Sequence, residues 1–399
     1  MESEEKIVTI WNKNFIVALF GFFFLFMSVT LFFLFPLFLE QFNPSKSQIG
    51  MVMGIHSLTA IFIRPFFGRL IDIKGRKKIS LFGIVFLILV LPCFHLIHDA
   101  GLLPVILRAL TGIGWGISMT ATITICSDLA PVERLAHSMG IIGVAGLISC
   151  ALGPLLAEEI ISRFGFSTLF NTSLIFLIVS FLCMLSTKES IRPNNSNQFY
   201  KSKPLWGISI VTILLISMFP IAHGAARGAV VHFIALFGKS IPLDRVGPFF
   251  LSFSGAAILT RLGIGGLSDK YGRKQILFPA ACIVGFNLFL ISQISSSWLF
   301  VLTGFIGGFG QGLIFPALST YIIDILGREN KGLALSLYLA FFDIGMGFGS
   351  VFFGWISDLY GYRKMYLFAG IVFFLVAVIF TWKAPSSTLK LVMKNSGEP

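Results

Sequence analysis

Six ionisable residues lie within or at the edge of long apolar runs in this 399-residue chain. Such groups are costly to bury among apolar residues, so they usually face a cavity or a partner and mark the path of a solute or an ion. A histidine exchanges a proton near neutral pH, burial can bring a carboxyl group into the same range, and an arginine can bind an anionic group. The six residues are Glu40, His56, Arg108, His223, Arg227 and Asp343.

Asp343 and His223 are the candidates for proton exchange. Asp343 lies about twelve residues into its apolar run, which is roughly 18 Å along a helix and therefore near the middle of a membrane. His223 precedes Arg227 by one helical turn, so both face the same side, and Arg227 or Arg108 would tune the proton site or bind an anionic group. The competing interpretation is structural: a hydrogen bond between helices for Asp343, and packing for His56 and His223.

The composition restricts the class of protein. Hydrophobic residues make up 56% of the chain and charged residues 12%, and the mean hydropathy is +0.89. Soluble proteins have roughly 25% charged residues, so a water-soluble enzyme, a disordered chain and a nucleic-acid-binding module are excluded. The five cysteines all lie in apolar runs and form no CxxC pair. We therefore expect them to be packing residues, with no disulfide framework, metal site or cofactor.

Apolar runs divide the chain into twelve candidate membrane spans. Each run approaches or exceeds the ~20 residues that a helix needs to cross a hydrocarbon core of ~30 Å. Backbone groups in lipid must be satisfied within the segment, which indicates an all-α membrane protein. The runs are 14–39, 47–71, 79–98, 101–126, 136–161, 166–187, 205–238, 246–268, 275–295, 297–324, 332–357 and 363–383.

The distribution of Lys and Arg predicts the orientation, because basic loops resist translocation. If both termini are cytoplasmic, 20 of the 30 basic residues lie inside, 6 lie outside and 4 lie within runs. This split predicts a multi-pass membrane protein with both termini in the cytoplasm. The basic residues are scattered over many loops, so no nucleic-acid partner is expected. Arg64 and Arg261 lie near the inner ends of their runs and should snorkel to the boundary.

A motif near the end of the second run occurs again after the eighth. GRLIDIKGRKK begins at Gly68 and GGLSDKYGRKQ begins at Gly265, an offset of 197. A glycine-rich run that ends in aspartate repeats at an offset of 196. The repeated positions that we single out are Gly68, Asp72, Gly75, Arg76 and Asp128 in the first copy, and Gly265, Asp269, Gly272, Arg273 and Asp324 in the second.

The repeat predicts two halves of six helices each. An even number of spans separates equivalent positions, so the halves have the same orientation and should be related by a pseudo-two-fold axis along the membrane normal, with a site at their interface. The predicted organisation is an N-terminal bundle (residues 1–187), a cytoplasmic linker rich in Asn and Ser (188–203) and a C-terminal bundle (204–399).

The two GxLxDxxGRKx loops, together with twelve spans, resemble the major facilitator superfamily over nearly the whole chain. The segment RALTGIGWG, residues 108–116, is similar to the Arg-and-glycine motif of the fourth helix in that family. Gly153 and Pro154 in the fifth run are similar to the motif typical of exporters, although Ser149 and Ala157 stand where glycines are usual. The Arg64–Pro65 pair and the Phe-rich seventh run resemble the bacterial drug/proton antiporter-like branch, which includes metallophore exporters.

This resemblance gives the aspartates and arginines of the repeated motif an expected role. An arginine and an aspartate near a helix end can form a charge-assisted bond. We expect Arg76 with Asp128, and Arg273 with Asp324, to form equivalent cytoplasmic latches that stabilise an outward-facing state. The alternative is that these residues form a solvated loop that contributes only to topology.

The expected function is secondary-active transport of a small molecule by alternating access, and proton-coupled efflux is preferred. A proton-coupled importer is the alternative, and a membrane-embedded enzyme is less favoured because Ser, His and Asp do not cluster as a nucleophile, base and orienting acid would. The expected partners are a small-molecule substrate, protons and the lipid bilayer, and the expected state is a monomer. Substrate identity is left open by the sequence.

Overall fold

A computed structural model describes residues 12–131, 134–189, 210–241, 243, 245–264, 267–327 and 331–384 of the chain. The described residues form helices and connecting turns and contain no strand. Short 3-10 segments, Leu31–Leu34 and Leu91–Leu96, join α1 to α2 and extend α4. The helices are α1 (Lys13–Thr30), α2 (Phe35–Glu40), α3 (Lys46–Lys74), α4 (Arg76–Val90), α5 (Leu102–Leu129), α6 (Leu135–Ser186), α7 (Ile210–Lys239), α8 (Gly247–Ile264), α9 (Leu267–Tyr271), α10 (Arg273–Ser292), α11 (Ser297–Leu326) and α12 (Lys331–Lys383).

Ten helical segments within the described residues are long and apolar enough to cross a membrane. Two of them, α6 and α12, contain 52 and 53 residues, or about 80 Å of helix against a hydrocarbon core of ~30 Å. Each is kinked at one glycine with positive φ, Gly165 at 78° and Gly361 at 80°. Each therefore supplies two spans, and the predicted all-α architecture of twelve spans is confirmed.

Side-chain caps fix where the first helices begin. The Asn12 side chain accepts a hydrogen bond from the backbone N–H of Phe15 at 2.8 Å, at the start of α1. Ser45 and Gln48 form a reciprocal capping box at the start of α3, which satisfies two N–H groups that a helix end leaves free. The capping box places the first residue of α3, Lys46, at the beginning of the apolar run 47–71.

The two halves repeat the same helix packing. In α5 a Cβ added at Gly112 would collide with the carbonyl oxygen of His56 in α3. In α11 a Cβ added at Gly308 would collide with the carbonyl oxygen of Phe253 in α8. These equivalent glycines let the helix backbones touch. The predicted boundaries of the halves stay a prediction, and most of the predicted linker lies outside the described residues.

Phenylalanine fills the interior of both halves. In the first half the rings of Phe32 and Phe94 lie 5.0 Å apart between centroids, in an edge-to-face arrangement. In the second half Phe219 and Phe380 lie 4.9 Å apart. All four side chains are at most 4% exposed, so part of the large phenylalanine content forms the core of each bundle, as edge-to-face aromatic packing favours.

Candidate functional site at the interface between the halves

The halves meet where α3 packs on α12, α6 on α8, and α2 with the 3-10 segment before it on α7. We call the end of the bundle where α3 begins and α12 kinks the far end. The end where α3 gives way to α4 is the motif end. The candidate site is described along this interface, from its middle to both ends.

An ion pair joins the two halves in the middle of the bundle. The guanidinium of Arg64 in α3 contacts the carboxylate of Asp343 in α12, residues that are 279 positions apart in the chain. The Arg64 side chain is 25% exposed and that of Asp343 is 10% exposed. The prediction that Arg64 snorkels to the boundary is therefore wrong, because a buried carboxylate within reach satisfies its charge better than lipid does.

Backbone contacts between α3 and α12 lie between this ion pair and the far end. A Cβ added at Gly54 would collide with the carbonyl oxygen of Gly347, and one added at Gly50 would collide with that of Ser350. Glycine at these positions lets the two helices touch without intervening side chains. We call this row of contacts the glycine seam.

The polar residues of the first half lie on α3 and α5. His56 Nδ1 lies 3.3 Å from the hydroxyl oxygen of Thr111, within hydrogen-bonding distance. The Arg108 guanidinium lies 5.7 Å from the ring centroid of Phe32 and 6.0 Å from that of Phe35. Arg108 is 4% exposed, and its Nε has no hydrogen-bond partner within the described part of the chain. The contact of His56 with the hydroxyl of Thr111 fits a packing role.

The polar residues of the second half lie mainly on α7. His223 Nε2 lies 2.5 Å from the amide oxygen of Gln311 in α11. Arg227 stacks on the ring of Phe253 at 4.2 Å from its centroid. The structure places His223 and Arg227 on one face of α7, as their spacing predicts, where both line one small cavity. His223 bonds to Gln311 and Asp343 to Arg64, so the two proton-exchange candidates have separate partners.

Polar contacts between the halves cluster at the far end. Lys239 Nζ lies 2.8 Å from Glu40. The carboxylate of Asp358 accepts the Lys46 backbone N–H at 2.7 Å. Glu158 accepts the N–H groups at the start of α8, from residues 246 and 247, at 2.6 and 2.9 Å. Carboxylates at helix N-termini are favoured by the helix dipole, so these contacts close the far end.

At the motif end the repeated residues form equivalent contacts inside each half. Arg76 pairs with Asp128 in the first half, and Arg273 pairs with Asp324 at 3.4 Å in the second. Gly75 and Gly272 precede α4 and α10 with φ of 98° and 97°, a region that favours glycine. Each pair joins helices of one half, so neither pair by itself clamps the two halves together, and the predicted latch function stays a prediction.

Other motif residues occupy less informative positions. A Cβ at Gly68 would meet no atom within 4 Å, and Gly265 lies outside the described residues, as do the side chains of Asp72 and Asp269. Gly153 packs against Thr30 in α1, and Pro154 follows it inside α6. The exporter-like pair Gly153–Pro154 therefore lies at a close contact within the first half.

Several interface residues were not predicted from the sequence. Gly50 and Gly54 have the four-residue spacing of a helix contact, which was a usable signal. Glu158 and Asp358 lie at the outer ends of runs like ordinary loop acids, and only the fold brings them to the other half. The residues His, Cys, Asp and Glu form no group of three that could hold a metal ion within the described part of the chain.

The sequence model of the Major Facilitator Superfamily matches residues 17–285 and 221–396. The chain belongs to the Major Facilitator Superfamily. Superfamily members similar to it include the multidrug resistance protein MdtG of Citrobacter koseri, 26% identical over 390 residues that cover 94% of this chain and 95% of that protein. The MdtG of Salmonella typhimurium is 25% identical over 393 residues, with 94% and 96% covered.

Solved structures of the superfamily share the fold. The nucleoside transporter NupG superimposes with a TM-score of 0.77 at 14% identity and covers 93% of this chain and 99% of its own. A bacterial homologue of the human lysosomal transporter Spinster, solved inward-facing and unoccupied, gives a TM-score of 0.72 at 15% identity, with 92% and 96% covered. This chain is a secondary transporter of small molecules in a membrane and not an enzyme.

Proposed function

We propose that this transporter exports amphipathic small molecules in exchange for protons. The observation that carries the proposal is the ion pair between Arg64 and Asp343, because it joins the halves inside the membrane and one member can take up a proton. Protonation of Asp343 removes the charge that holds Arg64, so α3 and α12 are free to separate. A proton then changes the relative stability of two conformations, which is what coupling requires.

The direction of transport rests on the relatives. Proteins that match this chain over nearly its whole length bear the name multidrug resistance protein, which supports export of drug-like solutes. The interiors of the two halves offer both parts of an amphipathic binding surface, because Arg108 and Arg227 each lie against phenylalanine rings. A proton-coupled importer would use the same ion pair, so the sign of the proton flux decides between the two.

The proposed orientation places the motif end and both termini in the cytoplasm of a bacterial cell, with a monomer in the cytoplasmic membrane. The split of basic residues supports it. The far end then faces the outside, and its polar contacts seal the outer entrance. In this orientation the outer entrance is closed, and Glu40 serves in the outer seal, where Lys239 compensates its charge.

The remaining candidate residues have supporting roles. His223, next to Arg227, is a second proton acceptor, and His56 packs α3 on α5 through its contact with Thr111. The pairs Arg76–Asp128 and Arg273–Asp324 hold the motif end of each half rigid, and this rigidity stabilises the outward-facing state when the motif ends approach each other. Gly153 and Pro154 let α6 bend where it packs on α1.

Transport in proteoliposomes tests the proposal. A panel of amphipathic drugs is supplied on one side, and proton movement is followed with a pH-sensitive dye while solute counterflow is measured with labelled drug. We expect drug and protons to move in opposite directions, and Asp343→Asn to retain counterflow while losing accumulation driven by a pH gradient. Asp99→Asn, in an exposed loop of the first half where the side chain accepts the N–H of Gly101, is the matched control and should behave like the wild type.

Two outcomes would contradict the proposal. Movement of drug and protons in the same direction would identify an importer. Retention of pH-driven accumulation in Asp343→Asn would show that the coupling proton binds elsewhere, and His223 would then be the group to examine.

A further inference from the structure

A small cavity lies inside the second half, between α7, α8, α10 and α11. His223 and Arg227 line it from α7, Phe253 from α8, Asn287 from α10 and Gln311 from α11. Its volume, measured as the space open to the centre of a water-sized sphere, is about 20 Å³. About 10–15 Å³ on this measure is enough for one water molecule, so the cavity holds one small species.

Three polar atoms of the cavity residues have no hydrogen-bond partner within the described part of the chain. They are Arg227 Nη1, His223 Nδ1 and Asn287 Oδ1, and each is covered from solvent. His223 is 1% exposed and Asn287 is 3% exposed. Buried polar groups are nearly always satisfied, and the oxygen and nitrogen of an amide can exchange places. Arg227 presents an N–H donor to the cavity. Asn287 presents one when its amide takes the exchanged orientation, and His223 Nδ1 presents one when the amide of Gln311 does so, because His223 Nε2 then accepts from Gln311.

The charge of Arg227 is also uncompensated. The cavity has no acidic residue among its lining residues, and the interior carboxylate of Asp343 is bound to Arg64. Stacking on Phe253 stabilises a guanidinium only modestly, and the penalty for burying an ion is larger than this gain. A water molecule would satisfy the hydrogen bonds but leave the charge of Arg227 uncompensated. An anion satisfies the hydrogen bonds and also compensates this charge.

We infer that the cavity beside Arg227 binds a small monovalent anionic group. Two sources supply this chemistry: a free halide ion, or the carboxylate of a transported solute. The second source rests on the proposed function, and the first does not. In either case the bound group accepts hydrogen bonds from Arg227 and from the amide of Asn287, and the aromatic ring of Phe253 covers the other side of the guanidinium.

Thermal unfolding of the purified full-length protein tests the inference. Sodium chloride or sodium benzoate replaces sodium gluconate, whose hydroxylated chain does not suit the apolar side chains of Val230, Val284 and Leu288 in the lining, at constant ionic strength. We expect a saturable rise in the unfolding midpoint of about 2–5 °C with chloride, benzoate or both, because a ligand of the native state stabilises it by mass action. Arg227→Gln should abolish the rise, and Arg261→Gln, which removes a guanidinium stacked on Phe315 outside this cavity, should keep it.

A second variant keeps the test decisive if Arg227→Gln fails to fold. Asn287→Asp places a carboxylate from the chain itself in the cavity, so we expect a folded protein whose midpoint no longer depends on the anion. A midpoint equal in gluconate, chloride and benzoate for the wild type would overturn the inference, as would an undiminished rise in Asn287→Asp.

The same experiment distinguishes the two sources of the anionic group, and it distinguishes the anion site from the proposed transport function. A rise with chloride alone assigns the site to a free halide. A rise with benzoate, accompanied by benzoate counterflow in proteoliposomes, assigns it to the headgroup of a solute. Anion-dependent stability without any counterflow would support the anion site and contradict the proposed transport function.

Discussion

The glycine seam makes the balance between conformations sensitive to a single methyl group. We expect Gly54→Ala to shift the protein towards the conformation in which the far end is open. The added Cβ would collide with the carbonyl oxygen of Gly347 and lie 3.2 Å from its carbonyl carbon. These are backbone atoms of the opposite half, so they can move away only if α3 and α12 separate.

The size of the shift follows from the cost of overpacking. Extra methyl groups in a well-packed interface cost about 1–3 kcal/mol, which corresponds to a change of about 5- to 150-fold in an equilibrium constant. The collision exists only in the conformation with α3 and α12 in contact, so nearly all of this cost falls on that state. An equilibrium that favours far-end closure tenfold would be reversed at the upper half of this range.

Distances between spin labels at Gln41 and Tyr360, on opposite halves at the far end, measure the shift. The control is Gly255→Ala, also within a helix, where an added Cβ meets no atom within 4 Å. We expect Gly54→Ala to lengthen the distance and Gly255→Ala to leave it unchanged. A wild-type distance distribution in a folded Gly54→Ala protein would refute the reasoning, because it would show that the seam yields without separating the halves.

Three further predictions follow from the polar contacts. Glu158→Gln removes the charge that accepts two N–H groups at the start of α8. The population with a lengthened far-end distance should rise about fivefold, which corresponds to a loss of ~1 kcal/mol from a partly exposed group. Asp343→Asn leaves Arg64 without its charged partner and should lower the midpoint of thermal unfolding. In a double-mutant cycle, adding Arg64→Gln should restore part of this loss. Losses that simply add would contradict the pairing. Arg273→Gln should lower the midpoint more than Arg76→Gln, because the second pair is the more deeply buried, and the reverse order would contradict this argument.

The architecture was accessible from the sequence because both of its signals are local. Each apolar run predicts one membrane span from its own residues, and the duplicated motif predicts that the chain consists of two halves. The kinks at Gly165 and Gly361 were predicted only as short connections between apolar runs, since the sequence does not show that a single glycine with positive φ turns the helix there. Their separation of 196 residues equals that of Gly112 and Gly308.

The site was less accessible because its contacts are not local. The ionisable character of Asp343 is visible in the sequence, but its partner Arg64 is 279 residues away and looked like a boundary arginine. The glycine seam had a recognisable spacing in Gly50 and Gly54, yet many membrane helices carry such spacing, and only the fold shows which pairs touch another half. Helix periodicity correctly grouped His223 with Arg227, because both lie on one element.

The glycine seam also determines where resistance to the conformational change resides. Few interlocking side chains lie where these two helix backbones touch, so α3 and α12 can separate at the seam with little repacking. The barrier then falls mainly on the charged contacts at the far end, such as Glu40 with Lys239, which are accessible to water. Dissolved electrolyte weakens exposed charge pairs, so the rate of opening should increase with ionic strength although the seam itself is uncharged.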